Sequence, residues 1–395
     1  MSDGGAVVIV GGGPAGLSVA RAYRTAGGRG PVIMLTDDEH APYERPPLTK
    51  DFLRGEQDAG DLTLEDARWY DEHAVELRHT HAARVDVEAR SVEIVDGDPL
   101  AYAACVLATG SEPRRPDVPG ADLDGVHVIR TLSDALALRR RVEGGARRVL
   151  IVGSGFIGCE AAASLAARGL AVTMLFTEAA PLIDRLGPAV AGRLAGWLRD
   201  QGVDLRAQRT LTAITRDRDG RALCAAVEGD GPAPTDLVVL GSGVVPRVKL
   251  AAAAGLSLGQ EGSAVACDAS LRASAADVFA AGDIALAHHP LAGRAIRVEH
   301  WGDALAHGEV IGQVLAGRPA RWEDVPGFWS TIGPRTLKYA AWGDGFDDVR
   351  VVDHSEGAFT AWYVRDGITV GVLSHDADED YERGRALVAA AAPPP

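Results

Sequence analysis

Two sets of glycines carry the strongest chemical signal in this chain. Gly11-x-Gly13-x-x-Gly16 follows the apolar run Val7-Val8-Ile9-Val10 and opens an amphipathic segment. Gly153-x-Gly155-x-x-Gly158 repeats the arrangement after Val149-Leu150-Ile151-Val152. A strand, a tight turn and a helix are the context that the dinucleotide fingerprint requires. The first glycine permits the turn, the second lets a pyrophosphate approach the backbone, and the third lets the helix pack close to the strand. The helix N-terminus then offers unpaired N–H groups and a partial positive charge to the phosphates. Pro14 and Ala15 complete the first candidate loop, and Phe156 and Ile157 the second. An acid about twenty residues further on should hold a ribose hydroxyl. Asp37 stands at that distance from the first set, with Asp38 as its rival.

Few other groups are arranged for chemistry. Cys105, Cys159, Cys224 and Cys267 are far apart and none forms a C-x-x-C pair. A disulfide scaffold, a zinc site and a redox dithiol all lose support. His79 with His81, and His288 with His289, lack the further ligands of a metal centre, so no metal is expected. A formal charge of −15 argues against a nucleic-acid surface, which draws its affinity from Lys and Arg. The clusters Arg139-Arg140-Arg141 and Arg147-Arg148 read as solvated faces, with docking of an acidic partner as the alternative. No apolar run is long enough to span a bilayer. The N-terminus enters a strand without a basic or cleavable apolar segment. These features predict a cytoplasmic protein with no membrane partner, present as a monomer or weak homodimer.

Positioning these residues takes more than one core. At 395 residues the chain suits two or three domains. Continuous apolar runs on either side of each glycine set suit parallel strands buried on both faces. The recurrence of the whole unit is duplication at domain scale. Cys105-Val106-Leu107-Ala108 ends in Thr109-Gly110 and a Pro-studded crossover, a matching exit appears at Leu240-Gly241-Ser242-Gly243, and Val278 to Asp283 returns the chain to the first domain. From about Trp322 onward, Trp and Phe interleave with alternating segments. The expected fold is α/β: two Rossmann-like dinucleotide-binding domains plus a small α+β C-terminal domain. Residues 1–113 with 244–321, 114–243 and 322–395 are the expected boundaries.

The order VVIVGGGPAGL, Pro42-Tyr43-Glu44-Arg45-Pro46-Pro47-Leu48-Thr49-Lys50, LATGSEPR, VGSGFIGCEAAASL, DVFAAGDIA and VEHWGDA resembles the FAD-dependent ferredoxin reductases. Those enzymes, of putidaredoxin and rubredoxin reductase type, serve bacterial monooxygenase and dioxygenase systems and are related to apoptosis-inducing-factor-type flavoproteins. The resemblance runs from about Val7 to Gly312, and Y-x-R-P-P-L-T-K is its most specific part. It implies a glutathione-reductase-like arrangement of the two domains, with FAD in the first, discontinuous one and NAD(P) in the second. It further implies that Asp37 binds the adenosine ribose, that Ala83 offers backbone contacts near the adenine, and that Arg130 contacts FAD at the domain junction. Asp283 would hydrogen-bond the ribityl chain and Trp301 would sit beside the isoalloxazine. Arg45, Thr109, Gly110, Gly243, Gly282, Glu299 and His300 belong to the same cofactor-binding segments. Lys50 would lie next to flavin N5 and pair with Glu160. Relatives with an L-F-x-E strand ending place the second ribose on its Glu, which here is Glu178 after Leu175-Phe176-Thr177. No Arg or Lys adjoins that strand end in sequence, so NADH is favoured over NADPH. The segment Phe328 to Gly333 departs from the family pattern after F-W-S, leaving Trp329 either to cover the flavin or to pack as a buried aromatic.

The pair has a physical rationale of its own. A fixed cation near a flavin stabilises the charge that hydride delivers, and a carboxylate can neutralise it at rest and orient the nicotinamide amide. Taken alone, Lys50 reads as a surface lysine and Glu160 as a first-turn helix acid. The reading is an FAD enzyme that takes hydride from NADH and passes single electrons to a ferredoxin-type carrier. The alternatives are an apoptosis-inducing-factor-like redox sensor, an NADH oxidase using Cys159, or a monodehydroascorbate-type reductase.

Overall fold

The computed structural model describes residues 5–217, 220, 222–229, 231 and 233–395, and the N-terminal expectation for the first four residues lies outside them. The chain divides into two compact units. One comprises Met1–Glu44, Thr63–Glu112 and Val245–Phe328, the other Arg45–Leu62, Pro113–Val244 and Trp329–Pro395.

In the first unit, strands Val75–His79, Val32–Thr36, Ala6–Val10 and Leu100–Leu107 run parallel in that order, and Val278–Ala280 pairs parallel with Leu100–Leu107. An antiparallel hairpin, Ala82–Asp86 with Ser91–Ile94, continues the sheet. Every residue of Ala6–Val10 is buried, as a central parallel strand covered on both faces requires. Helix Pro14–Thr25 follows the first glycine set. Helix Trp301–Leu315 lies against it so closely that a Cβ on Gly308 would stand 2.5 Å from Ala15 O.

The second unit repeats the parallel design with strands Asp204–Arg206, Ala171–Leu175, Arg148–Val152, Leu237–Leu240 and Val126–His127. A small antiparallel sheet, Leu211–Arg216, Leu223–Val227 and Ala233–Thr235, buries Ile214, Leu223 and Ala225 against Leu150, Leu175 and Val238. The C-terminal part is a five-stranded sheet in the order Gly327–Ile332, Arg335–Ala341, Ile368–His375, Phe359–Arg365 and Asp348–Asp353, with helix Asp378–Ala389 against it. Tyr363 anchors it by donating to Leu186 O at 3.1 Å.

Two segments group differently from the sequence boundaries. Residues 45–62, expected with the first domain, cluster in the second unit, where Thr49 and Lys50 bond helix Phe156–Ala167. Trp322, expected to begin the C-terminal domain, belongs to the first unit. Its backbone N–H donates to Ala269 O and its ring sits edge-on to both His289 and His307.

Candidate functional site

The two glycine turns match bond for bond. Gly11 N–H donates to Leu35 O and Ala108 N–H to Val10 O, while Gly153 N–H donates to Leu175 O and Gly241 N–H to Val152 O. Gly11 and Gly153 have φ of +127° and +104°, a region that favours glycine. A Cβ on either would also run into a carbonyl, Ala108 O for Gly11 and Gly241 O for Gly153. Gly13 and Gly155 are the N-caps of helices Pro14–Thr25 and Phe156–Ala167, and neither helix has a side-chain cap. Both turns thus leave helix N–H groups for an outside acceptor. A Cβ on Gly155 would meet nothing within 4 Å. These features fit the pyrophosphate of a dinucleotide in each unit.

Strand register gathers the remaining flavin-side candidates. Val10 pairs with Leu35 and Leu107, and Leu107 with Ala280, so the strands end level and their loops emerge at one sheet edge. Gly11, Asp37, Thr109, Gly110, Gly282 and Asp283 all lie in those loops. Ligands of open α/β sheets bind at such an edge. Asp38 is committed to its own loop, accepting from Tyr43 Oη at 2.8 Å on one oxygen and from His40 N–H at 3.1 Å on the other. Asp37 is more open, with its side chain 55% exposed and Arg247 Nη1 at 3.4 Å. This favours Asp37 over its rival. Thr109 Oγ1 donates to Arg247 O, and Gly110 O accepts from Arg247 N–H. Gly282 N–H donates to Nδ1 of the fully buried His307. Burial lowers the His307 pKa to about 4, leaving a neutral ring. Ala83 is exposed on strand Ala82–Asp86. Glu299, paired with Arg297, precedes His300, whose Nδ1 donates to the buried Asp303 at 2.9 Å, and half-buried Trp301 opens the next helix.

In the second unit, Val152 pairs with Leu175 and Leu240, so Gly153, Phe176 and Gly241 align in the same way. Phe176 is buried and cannot hold a ribose. Glu178 reaches back to the glycine turn, where Ser154 Oγ donates to it over a loose 3.4 Å. Gly243 O accepts from Arg114 N–H, and Arg130 N–H donates to Asp134 just before helix Leu132–Glu143. No basic residue adjoins this strand end along the chain, but two do in three dimensions. Arg206 pairs with Leu175, and Arg209 N–H donates to Phe176 O. A neighbouring strand brings in what local sequence hid.

Arg45 caps the short turn Pro46–Thr49, which delivers Lys50. Lys50 Nζ lies 2.6 Å from Glu160 Oε2 and 3.1 Å from Pro46 O. Neither partner is a surface group, with exposures of 8% and 5%. Glu160 is the fifth residue of its helix rather than a first-turn acid, and it faces inward. Three residues without an assigned role complete the cluster. Thr49 Oγ1 donates to Glu160 Oε2 at 2.5 Å, Ser330 Oγ donates to Glu160 Oε1 at 2.7 Å, and Ser164 Oγ donates to Thr49 O at 2.7 Å. The F-W-S segment was the only sequence signal for Ser330. Trp329 beside it is 44% exposed, which removes the buried-packing alternative. Cys159 is fully buried with its thiol pushed well up, chiefly by desolvation and then by Glu160, so it offers no reactive thiolate for an oxidase. Among the described residues no helix is long and apolar enough to cross a membrane.

The sequence pattern of the pyridine nucleotide-disulphide oxidoreductases matches residues 5–308. The chain is 35% identical over 394 residues to the ferredoxin–NAD(+) reductase component of an anthranilate 1,2-dioxygenase system from Burkholderia cepacia, covering 98% of this chain and 95% of that one. A ferredoxin reductase structure from Rhodopseudomonas palustris matches with a TM-score of 0.93 at 30% identity, over 99% of this chain and 96% of that one. The covalent putidaredoxin reductase–putidaredoxin complex matches with a TM-score of 0.93 at 29% identity, over 98% and 94%. With paired glycine turns, level strand ends and these likenesses in agreement, the chain belongs to the pyridine nucleotide-disulphide oxidoreductase family.

Proposed function

We propose that this protein is an FAD-dependent reductase that takes electrons from NADH and delivers them singly to a ferredoxin-type iron–sulfur protein serving an oxygenase. The observation that carries the reading is the pair of uncapped glycine turns, one in each compact unit, with the same hydrogen-bond pattern. The chemistry that FAD would supply when bound is acceptance of a hydride and onward release of its two electrons one at a time, the proton passing to solvent. Gly11, Gly13, Pro14, Ala15 and Gly16 hold its pyrophosphate, Asp37 its adenosine ribose, and the Gly282–Asp283 and Glu299–Trp301 segments its remaining polar groups.

Gly153, Gly155, Phe156, Ile157 and Gly158 hold the pyrophosphate of the nicotinamide nucleotide, and Glu178 binds its ribose. A carboxylate there repels a 2′-phosphate, and this now supports NADH over NADPH in place of the missing-arginine argument. Lys50 is a fixed cation, and Glu160 both balances it and accepts from the nicotinamide carboxamide. The exposed Trp329 is left with the role of covering the flavin. The relative crystallised as a covalent complex with its putidaredoxin supports a carrier of that class. A cytoplasmic location suits this reading, and among the described residues no helix is long and apolar enough to cross a membrane. FAD belongs to residues 1–113 with 244–321, except that residues 45–62 group with the second unit, and the nucleotide belongs to 114–243.

The test is reconstitution of the purified chain with FAD, anaerobic titration with NADH, and cytochrome c reduction with a two-iron ferredoxin added. The expected result is bleaching by NADH, with cytochrome c reduction dependent on the ferredoxin. A chain that binds no FAD would end the reading.

A further inference from the structure

We propose that Ser330 is a positioning residue for hydride transfer, holding Glu160 Oε1 so that its open acceptor position meets the nicotinamide carboxamide N–H. The inference rests on the reading that Glu160 orients the nicotinamide, and adds what fixes Glu160 itself.

The carboxylate is served from both sides. Oε2 accepts from Thr49 Oγ1 at 2.5 Å and Lys50 Nζ at 2.6 Å, and Oε1 accepts from Ser330 Oγ at 2.7 Å. An ionised carboxylate has roughly four acceptor positions, so among the described residues these three donors leave one, on the oxygen that Ser330 holds. A glutamate tip otherwise rotates broadly about its last torsion. Here a quarter-turn would carry both oxygens away from their donors and break all three bonds. Thr49 cannot drift either, because Ser164 Oγ, one helical turn beyond Glu160, holds its carbonyl. Ser330 is 1% exposed while its neighbour Trp329 is largely open, the alternation of a strand with one buried face. The C-terminal sheet therefore contributes a side chain to a site whose other members come from the proline-rich turn and the second glycine-turn helix.

A structural role alone would make Ser330 matter to folding, whereas positioning makes it matter to one bond of one substrate. The experiment compares wild type, Ser330→Ala and Ser330→Thr as FAD-loaded enzymes. Each is reduced in stopped flow by NADH and by reduced 3-acetylpyridine adenine dinucleotide, whose ketone has no N–H to donate. With NADH, Ser330→Ala should lower the limiting rate of flavin reduction about ten-fold, the worth of one charge-assisted hydrogen bond, with the NADH dissociation constant changing less than about two-fold. With the analogue, wild type should already be slow and Ser330→Ala should lose little more. Ser330→Thr, keeping the hydroxyl, should recover the NADH rate. Equal losses with both nucleotides, or an undiminished NADH rate in Ser330→Ala, would overturn the proposal. If Ser330→Thr fails to fold, the Ser330→Ala comparison between the two nucleotides still decides. Wild type that is never bleached by NADH would instead refute the function reading.

Discussion

Replacing Gly155 with alanine adds one methyl group where the structure has space and the proposed ligand does not. Gly155 has φ −67° and ψ 175°, an extended conformation open to any residue, and a Cβ there meets no protein atom within 4 Å. Alanine at a compatible position stabilises by about 0.4–1 kcal/mol through the unfolded chain. Losing the glycine preference at an N-cap costs roughly the same. The melting temperature should therefore stay within about 3 °C of wild type. The helix N-terminus, however, presents its free N–H groups on this side, and a pyrophosphate drawn against them would meet the methyl. Displacing it enough to lose one or two charge-assisted bonds, at about 1.5–3 kcal/mol each, raises the NADH dissociation constant at least ten-fold. Gly153→Ala is the contrasting control. Its φ of +104° and the clash with Gly241 O predict a loss of about 2–6 kcal/mol in stability. Stopped-flow reduction across NADH concentrations, with a thermal melt of each variant, separates the two effects. Unchanged NADH affinity in a normally folded Gly155→Ala would show that no phosphate rests on this turn.

Lys50→Met strands a buried carboxylate that keeps only two hydroxyl donors, which should cost about 3 kcal/mol, near the lower end for a broken buried pair. The double variant Lys50→Met with Glu160→Gln should recover much of it, and a double variant melting below the single one would contradict the pairing. A pH dependence follows from His307, neutral in the fold down to about pH 4. Because the unfolded chain takes up its proton near pH 6.5, stability is lost as pH falls from about 6.5 to about 4, by at most about 3 kcal/mol for this group. His307→Gln should flatten that part of the melting-temperature profile, and an unchanged slope would mean that the ring is not buried as described.

Local backbone sterics made much of this site readable from sequence. A glycine with φ near +127° followed by an uncapped helix is written into a few adjacent residues, so both turns and the buried parallel strands were legible. Spacing could not choose between Asp37 and Asp38, because the choice depends on where Tyr43 Oη and His40 N–H point. Arg209 was missed for a related reason: it meets Phe176 from the loop after the neighbouring strand rather than along the chain. The surroundings of Glu160 were less accessible still. Its partners Thr49 and Ser330 are 111 and 170 residues away, and serine carries no periodicity or charge to announce such a bond. The sequence by itself determined the two glycine turns and the chemistry they invite, since those conformations are local. Tertiary structure alone decided which hydroxyls surround one buried carboxylate, and where residues 45–62 belong. Such contacts form only once strand register and helix packing have brought distant segments together.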